Sequence, residues 1–307
     1  MDGGDYFSGL IRRFSPPAVP LAVSSLLPDA NTTTAAASAE FSAQGIRAYI
    51  FDVYGTLFTS ASGDIGVLQK TAKEESCPPA ALAEADARRI QEILAPFGNG
   101  LGKSLPELTR LFTAAVLAEH EKLRAKTAFP EIDVRKIWAG ILRVDEKAAA
   151  EFALRFELAA NPVYPMPGLE ALLAKTAAAG IPLGMVSNAQ FFTPLLFQAF
   201  LGKPPEKLGF LPELCVYSFR EEEAKPSPRL FRKAAAALEA LGIRPEETLY
   251  TGNDMLNDIW AAKQAGFRTA LFAGDGRSLR LREGDPRCAG LKPDFIVKSL
   301  ATLSAMR

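Results

Sequence analysis

Histidine is almost absent from this chain: His120 is the single one among 307 residues. One imidazole argues against a multi-histidine zinc centre and against a serine–histidine triad, and its setting in "LAEHEKL" suits a structural place on a helix. Cysteine is scarce too. Cys77, Cys215 and Cys288 are odd in number and widely spaced, a pattern of reduced thiols in a cytoplasmic protein and not of a disulfide framework. Neither sign of charge is in excess, because 35 basic residues face 35 acidic ones. No bulk field therefore points to nucleic acid or to an anionic membrane surface. No apolar run reaches the roughly 20 residues that a membrane helix needs. The stretch "AVPLAVSSLL" after Arg12 and Arg13 faintly imitates a secretion signal; Pro20, the early acids Asp2 and Asp5 and the long gap before "AAASA" argue against it.

Apolar residues are plentiful. They make up 48% of the chain, enough for one large core or for a core with a smaller satellite. Residues 1–44 are rich in Ala, Ser, Thr and Pro without a sustained period, which predicts a loosely held extension. The texture then changes. "IRAYIFDV", "IPLGMVSN", "LCVYSF", "TLYTGN" and "FRTALFAG" are short apolar runs that end in turn residues, as strands buried on both faces of a parallel sheet do. Helical stretches alternate with them: "GLEALLAKTAAAG", "SPRLFRKAAAALEALG" and "NDIWAAKQAG". Alternation of this kind predicts a doubly wound, Rossmann-like α/β core over residues 45–63 and 162–307. Residues 64–161 hold helical patterns and no convincing strand. They predict an all-helical cap inserted after the first strand, large enough to cover the sheet's C-terminal edge, where ligands bind in open α/β sheets.

Polar residues collect at the strand ends. The first strand ends in Asp52 within "IFDVYGTLF", and a buried, unpaired carboxylate there costs several kcal/mol unless something compensates it. The second ends in Ser187-Asn188, Lys225 follows the third, and "TGNDMLND" after the fourth carries Asp254 and Asp258. Singly, each has a plain reading: a turn, a solvated lysine, an acid favoured at a helix N-terminus. If the strands are adjacent, all of them converge on one crevice.

The ordered set "FDVYGTLF", "VSNA", "AKPSP", "GNDMLND" resembles the haloacid dehalogenase superfamily of hydrolases over roughly residues 46–300. The resemblance implies that Asp52 is a nucleophile forming an aspartyl ester that water later hydrolyses. It implies that Ser187 and Lys225 hold the anionic group of a small-molecule substrate, with Thr56 and Asn188 as further contacts. It also implies Mg²⁺ at Asp52, the backbone carbonyl of Tyr54, Asp254 and Asp258. The chemistry stands without the family. A carboxylate attacks only where water is limited and developing charge is neutralised; Lys225 supplies a cation and the glycine turn at Gly55 supplies oriented N–H dipoles. Asp254 and Asp258 are hard oxygen donors suited to Mg²⁺.

Two departures from the family pattern matter. Phosphatases of this family usually carry an aspartate two residues after the nucleophile to protonate the leaving group, and here that residue is Tyr54, a poor acid at neutral pH. Tyrosine there resembles the 2-haloacid dehalogenase branch, whose halide needs no proton and which works without metal. Asn253 stands where many relatives have the first acid of the fourth motif, and the extra acid Asp254 is foreign to the dehalogenases. "FGNGLGKS" at residues 97–104 nearly spells a phosphate-binding loop, but Phe97 replaces its first glycine and no strand precedes it. Three functions follow: a Mg²⁺-dependent hydrolase of a small phosphorylated metabolite, a metal-independent 2-haloacid dehalogenase, and a binding or regulatory protein with little turnover. The second needs a cap or loop arginine for the substrate carboxylate, for which Arg88, Arg89, Arg110 and Arg124 are candidates.

Overall fold

The computed structural model describes residues 3–15, 21–22, 45–60, 91–97 and 102–304. Six strands form one sheet: β1 (Ala48–Phe51), β2 (Leu183–Ser187), β3 (Phe210–Tyr217), β4 (Thr248–Gly252), β5 (Arg268–Phe272) and β6 (Phe295–Val297), in the order β3-β2-β1-β4-β5-β6. Every pairing is parallel. The α/β architecture expected from the alternating pattern is therefore present, with one strand more than the sequence showed. β6 is three residues at the sheet edge with two of them only half-buried, too short to stand out as an apolar run.

Both faces of the sheet are covered, which is why its strands read as unbroken apolar runs. Tyr49, Phe51, Leu183 and Met185 face one side, and pack with Leu169, Leu172 and Leu173 of α5 (Leu169–Ala178) and Leu196 and Phe197 of α6 (Leu195–Leu201). Ile50, Val186 and Val216 face the other, against Leu230, Phe231, Ala234 and Leu238 of α7 (Pro228–Ala240). From β1 the chain builds outward through β2 and β3, then returns to β4 on the other side of β1. The reversal opens a crevice at the C-terminal ends of β1, β2 and β4.

Between β1 and β2 the described residues carry only helices, chiefly α2 (Leu105–Leu123), α3 (Val134–Leu142) and α4 (Glu146–Ala160). Their centre is aromatic: the Trp138 ring lies 5.1 Å from Phe112, 4.5 Å from Phe152 and 4.8 Å from Phe156. This layer shares a continuous apolar cluster with the sheet; residues 64–90 and 98–101 of the expected cap lie outside the described residues.

One expectation fails in part. Within the supposedly loose extension, Gly3–Phe14 is a helix, α1, that packs on α4 and α6. Leu10, Ile11 and Phe14 are buried and Phe7 packs beside them, an i, i+3, i+4, i+7 stripe that needs a partner surface. The average composition of residues 1–44 hides that stripe. Residues 16–20 and 23–44 of the extension lie outside the described residues.

Candidate active site

The turn after β1 sets the first functional group. The N–H groups of Thr56, Leu57 and Phe58 all converge on the Val53 carbonyl, curling the chain back on itself. Gly55 takes φ +82° within this turn. A Cβ there would also lie 2.5 Å from Asn253 Nδ2 and 2.7 Å from Ser278 Cβ, so glycine is required for both conformation and space. Asp52 is thereby left at the strand tip with its carboxylate turned across the crevice.

Its Oδ1 accepts from Ser187 Oγ at 2.8 Å and pairs with Lys225 Nζ at 2.8 Å. Lys225 Nζ reaches on to Asp258 Oδ1 at 2.6 Å. Burial works against the charge of this lysine, but Asp258 and Asp52 outweigh it and hold the ammonium above its ordinary range. The backbone N–H of Lys225 donates to Asn188 Oδ1 at 2.7 Å, which fixes where the side chain starts. The question raised by Asp52 has its answer here: the carboxylate is compensated by a buried ammonium and a hydroxyl.

Asp258 is drawn inward by a wide π-helical turn, Met255–Trp260, in which Ile259 N–H bonds to the Asp254 carbonyl. Its Oδ1 also accepts from the Tyr250 hydroxyl at 2.8 Å, and its Oδ2 from the Asp254 N–H at 2.9 Å. Burial pushes its carboxyl upward and Lys225 pulls it back down. A Cβ at Gly252 would collide with this carboxylate. Asp254 is equally engaged: it caps the turn by accepting from the N–H groups of Leu256 and Asn257 and forms an ion pair with Arg282.

A cavity of about 360 Å³ opens above Asp52, between the strand ends and the helical layer. Tyr54, Asn188, Lys225, Asn253 and Asp254 border it from the sheet side, while Phe112, Val116 and Phe156 contribute an apolar wall. The sequence-derived residues Asp52, Ser187, Lys225 and Asp258 are thus joined directly. Thr56 departs from its expected role: it is fully buried, does not border the cavity, and its Oγ1 lies 3.4 Å from Asn253 Oδ1. Tyr54 Oη lies 3.0 Å from Thr193 Oγ1, and burial, then the charge of Glu157, pushes its pKa further up. A phenol held above its ordinary range is a weak acid at neutral pH.

Three residues of the site escape sequence reasoning. Tyr250 reads as a strand residue like its neighbours. Arg280 sits in a loop after β5, borders the cavity, and donates to the carbonyls of Arg277 and Leu279 with no carboxylate partner among the described residues. Glu157 borders the cavity from α4; a carboxylate on the apolar face of "FALRFELAA" was the one available signal. Among the expected arginines, Arg110 and Arg124 do not border the cavity, and Arg124 pairs with Glu121 at 2.8 Å. Arg88 and Arg89 lie outside the described residues. So do residues 98–101 of the loop resembling a phosphate cradle, whose Ser104 instead caps α2 in a box with Glu107.

The acids expected from the sequence to hold magnesium are engaged with protein partners. Among the described residues no three His, Cys, Asp or Glu side chains are grouped to hold a metal ion. Asp258 has both oxygens committed to Lys225, Tyr250 and a backbone N–H, and Asp254 faces Arg282. Among the described residues Asp52 Oδ2 and the Tyr54 carbonyl remain open acceptors, and Asn253 Oδ1 takes only a long 3.4 Å bond from Thr56 Oγ1 while its amide nitrogen is fixed on the Ser278 carbonyl at 2.5 Å. One carboxylate and two neutral carbonyl oxygens suit a Mg²⁺ ion that keeps waters and shares a substrate phosphate.

A family model described as a haloacid dehalogenase-like hydrolase matches residues 46–266. Phosphoserine phosphatase of Thermus thermophilus is 30% identical over 194 residues, covering 59% of this chain and 71% of that protein. Phospholysine phosphohistidine inorganic pyrophosphate phosphatase of Xenopus laevis is 37% identical over 81 residues, 26% of this chain; the match spans only 27% of that protein's length. A solved 2-haloacid dehalogenase from Pseudomonas syringae pv. Tomato DC3000 superposes with a TM-score of 0.50 at 19% identity, over 85% of this chain and 97% of that one. At that identity the likeness is one of fold alone.

Proposed function

Because this chain belongs to the haloacid dehalogenase-like hydrolases, we propose that it hydrolyses a small phosphomonoester through an aspartyl phosphate on Asp52. The observation that carries the reading is Asp52 at the cavity floor, 2.8 Å from Lys225 Nζ and 2.8 Å from Ser187 Oγ. A phosphoryl group seated there meets its nucleophile and a fixed cation together, and needs little reorganisation on reaction. Arg280, at the cavity wall and without a carboxylate partner among the described residues, supplies a second cation for the anionic oxygens. Bound magnesium at Asp52, the Tyr54 carbonyl and Asn253 would neutralise further phosphoryl charge. The phosphatases among the relatives support the same reading.

Asp52 attacks phosphorus and the ester oxygen departs; water then cleaves the aspartyl phosphate and restores the carboxylate. The apolar wall of Phe112, Val116 and Phe156 favours a substrate with a carbon-rich body. Tyr54 and Arg280 favour a second reading, dehalogenation of a 2-halo acid, because halide leaves without a proton and Arg280 could take the substrate carboxylate.

Purified wild type and Asp52→Asn, assayed with Mg²⁺ for phosphate release from phosphomonoesters and for halide release from 2-chloropropionate, test both readings. Phosphate release by the wild type is expected, with the variant below roughly one per cent of it. Halide release without phosphate release selects the second reading.

A further inference from the structure

Tyr54 leaves the phosphomonoester reaction without a proton donor at the usual place. Of the cavity carboxyls that the steps above do not use, Glu131 is held by the Ser218 hydroxyl and the Ile132 N–H, Asp254 by Arg282 and Asp258 by Lys225, which leaves Glu157. Glu157 lies near the end of α4, next to Phe156 of the apolar wall. Its Oε1 accepts from Asn161 Nδ2 at 2.8 Å, and among the described residues that is its only hydrogen bond. Among the described residues no lysine or arginine pairs with it. A carboxylate enclosed by protein beside aromatic and aliphatic groups is costly to keep unless it is protonated or in use. The part of its surface that remains open faces the cavity, on the side where its charge is felt by the Tyr54 hydroxyl.

We propose that Glu157 transfers the proton in this reaction, giving it to the leaving oxygen of an alkyl phosphomonoester and taking one back from the attacking water. The proposal rests on the phosphomonoester reading. In the first step the Asp52–phosphorus bond forms, the phosphorus–oxygen ester bond breaks, and the Glu157 proton passes to the departing oxygen to give the alcohol. In the second step Glu157, now a carboxylate, takes a proton from water as that water attacks phosphorus. The Asp52–phosphorus bond breaks, inorganic phosphate is released, and both carboxyl groups return to their starting states. Burial supports the assignment by pushing the Glu157 carboxyl up to about 7 against the opposing pull of the Asn161 bond, close to where a group can both give and accept a proton. The bland alternative is that Glu157 merely ties down Asn161, the residue that ends α4.

Glu157→Gln separates the two roles, since glutamine keeps an oxygen for the Asn161 amide and removes the acid. The measurement is kcat/KM, with Mg²⁺, on n-butyl phosphate and on 4-nitrophenyl phosphate, whose leaving group hardly needs a proton. Proton transfer from a positioned group contributes about 10²–10⁴-fold, so butyl phosphate hydrolysis should fall by that factor and nitrophenyl phosphate hydrolysis far less. Glu157→Asp, which keeps an ionisable group, should recover part of the loss. Equal losses on the two esters, or none, overturn the role of Glu157 while leaving the phosphomonoester reading intact. A wild type that hydrolyses neither ester but releases halide overturns that reading and this proposal together.

Discussion

Asp52, Lys225 and Asp258 form a chain of alternating charge with Nζ–O distances of 2.8 and 2.6 Å, so the proposed nucleophile is held by a group that is itself held. Tyr250 and Ser187 add hydroxyl donors to Asp258 Oδ1 and Asp52 Oδ1. The residue that breaks the family pattern, Tyr54, contributes a hydrogen bond to Thr193 and little acidity. Its hydroxyl is therefore structural, and Tyr54→Phe should lower kcat less than about tenfold while costing about 1 kcal/mol of stability through the lost bond. Steady-state kinetics and urea unfolding check the two halves. A fall in kcat of a hundredfold or more would give the hydroxyl a chemical part.

The helices between β1 and β2 hold their shape around Trp138, and α1 braces them from outside. Ile11 is fully buried where α1 meets the rest of the molecule, so this short helix is stabilised by packing more than by its own propensity. Ile11→Ala removes buried methylenes from that contact and should cost about 2–5 kcal/mol in equilibrium unfolding. An unchanged unfolding midpoint would mean that α1 does not dock on α4 and α6 in solution. The glycines at 55 and 252 act at the same scale, since each lets two turns approach more closely than a Cβ allows.

At the scale of the whole molecule, the sheet positions the candidate reacting groups and the helical layer supplies the apolar wall of the cavity. This division predicts that selectivity can be altered from the layer alone. Val116 is buried in α2 and borders the cavity opposite the sheet. Val116→Phe should narrow the space and reduce kcat/KM for phosphomonoesters with bulky bodies by about 10–100-fold relative to methyl phosphate. Comparing the two substrates on one preparation gives the ratio directly. A proportional loss on both substrates would mean that the substitution disturbs the site and not its shape.

Apolar runs, among them those ending in Asp52, Ser187 and Gly252, made five of the six strands legible, because a strand buried on both faces must be apolar along its length. The polar residues at their ends were legible as exceptions to that rule. The α1 stripe was present but was averaged away in a segment rich in Ala, Ser and Thr. Which carboxylate faces which cation could not be read, because residues 52, 225, 254, 258 and 282 are brought together only by the strand order. The residues alone were enough for the α/β core, for placing Asp52 at a strand end and for the tyrosine at residue 54 where the family's usual acid stands. Tertiary contacts were needed to set Asp254 against Arg282 and Asp258 against Lys225, and to bring Glu157 and Arg280 to the cavity. Local pattern records whether a side chain must be buried; its partner depends on contacts between segments distant in the chain, and those exist only once the sheet has formed.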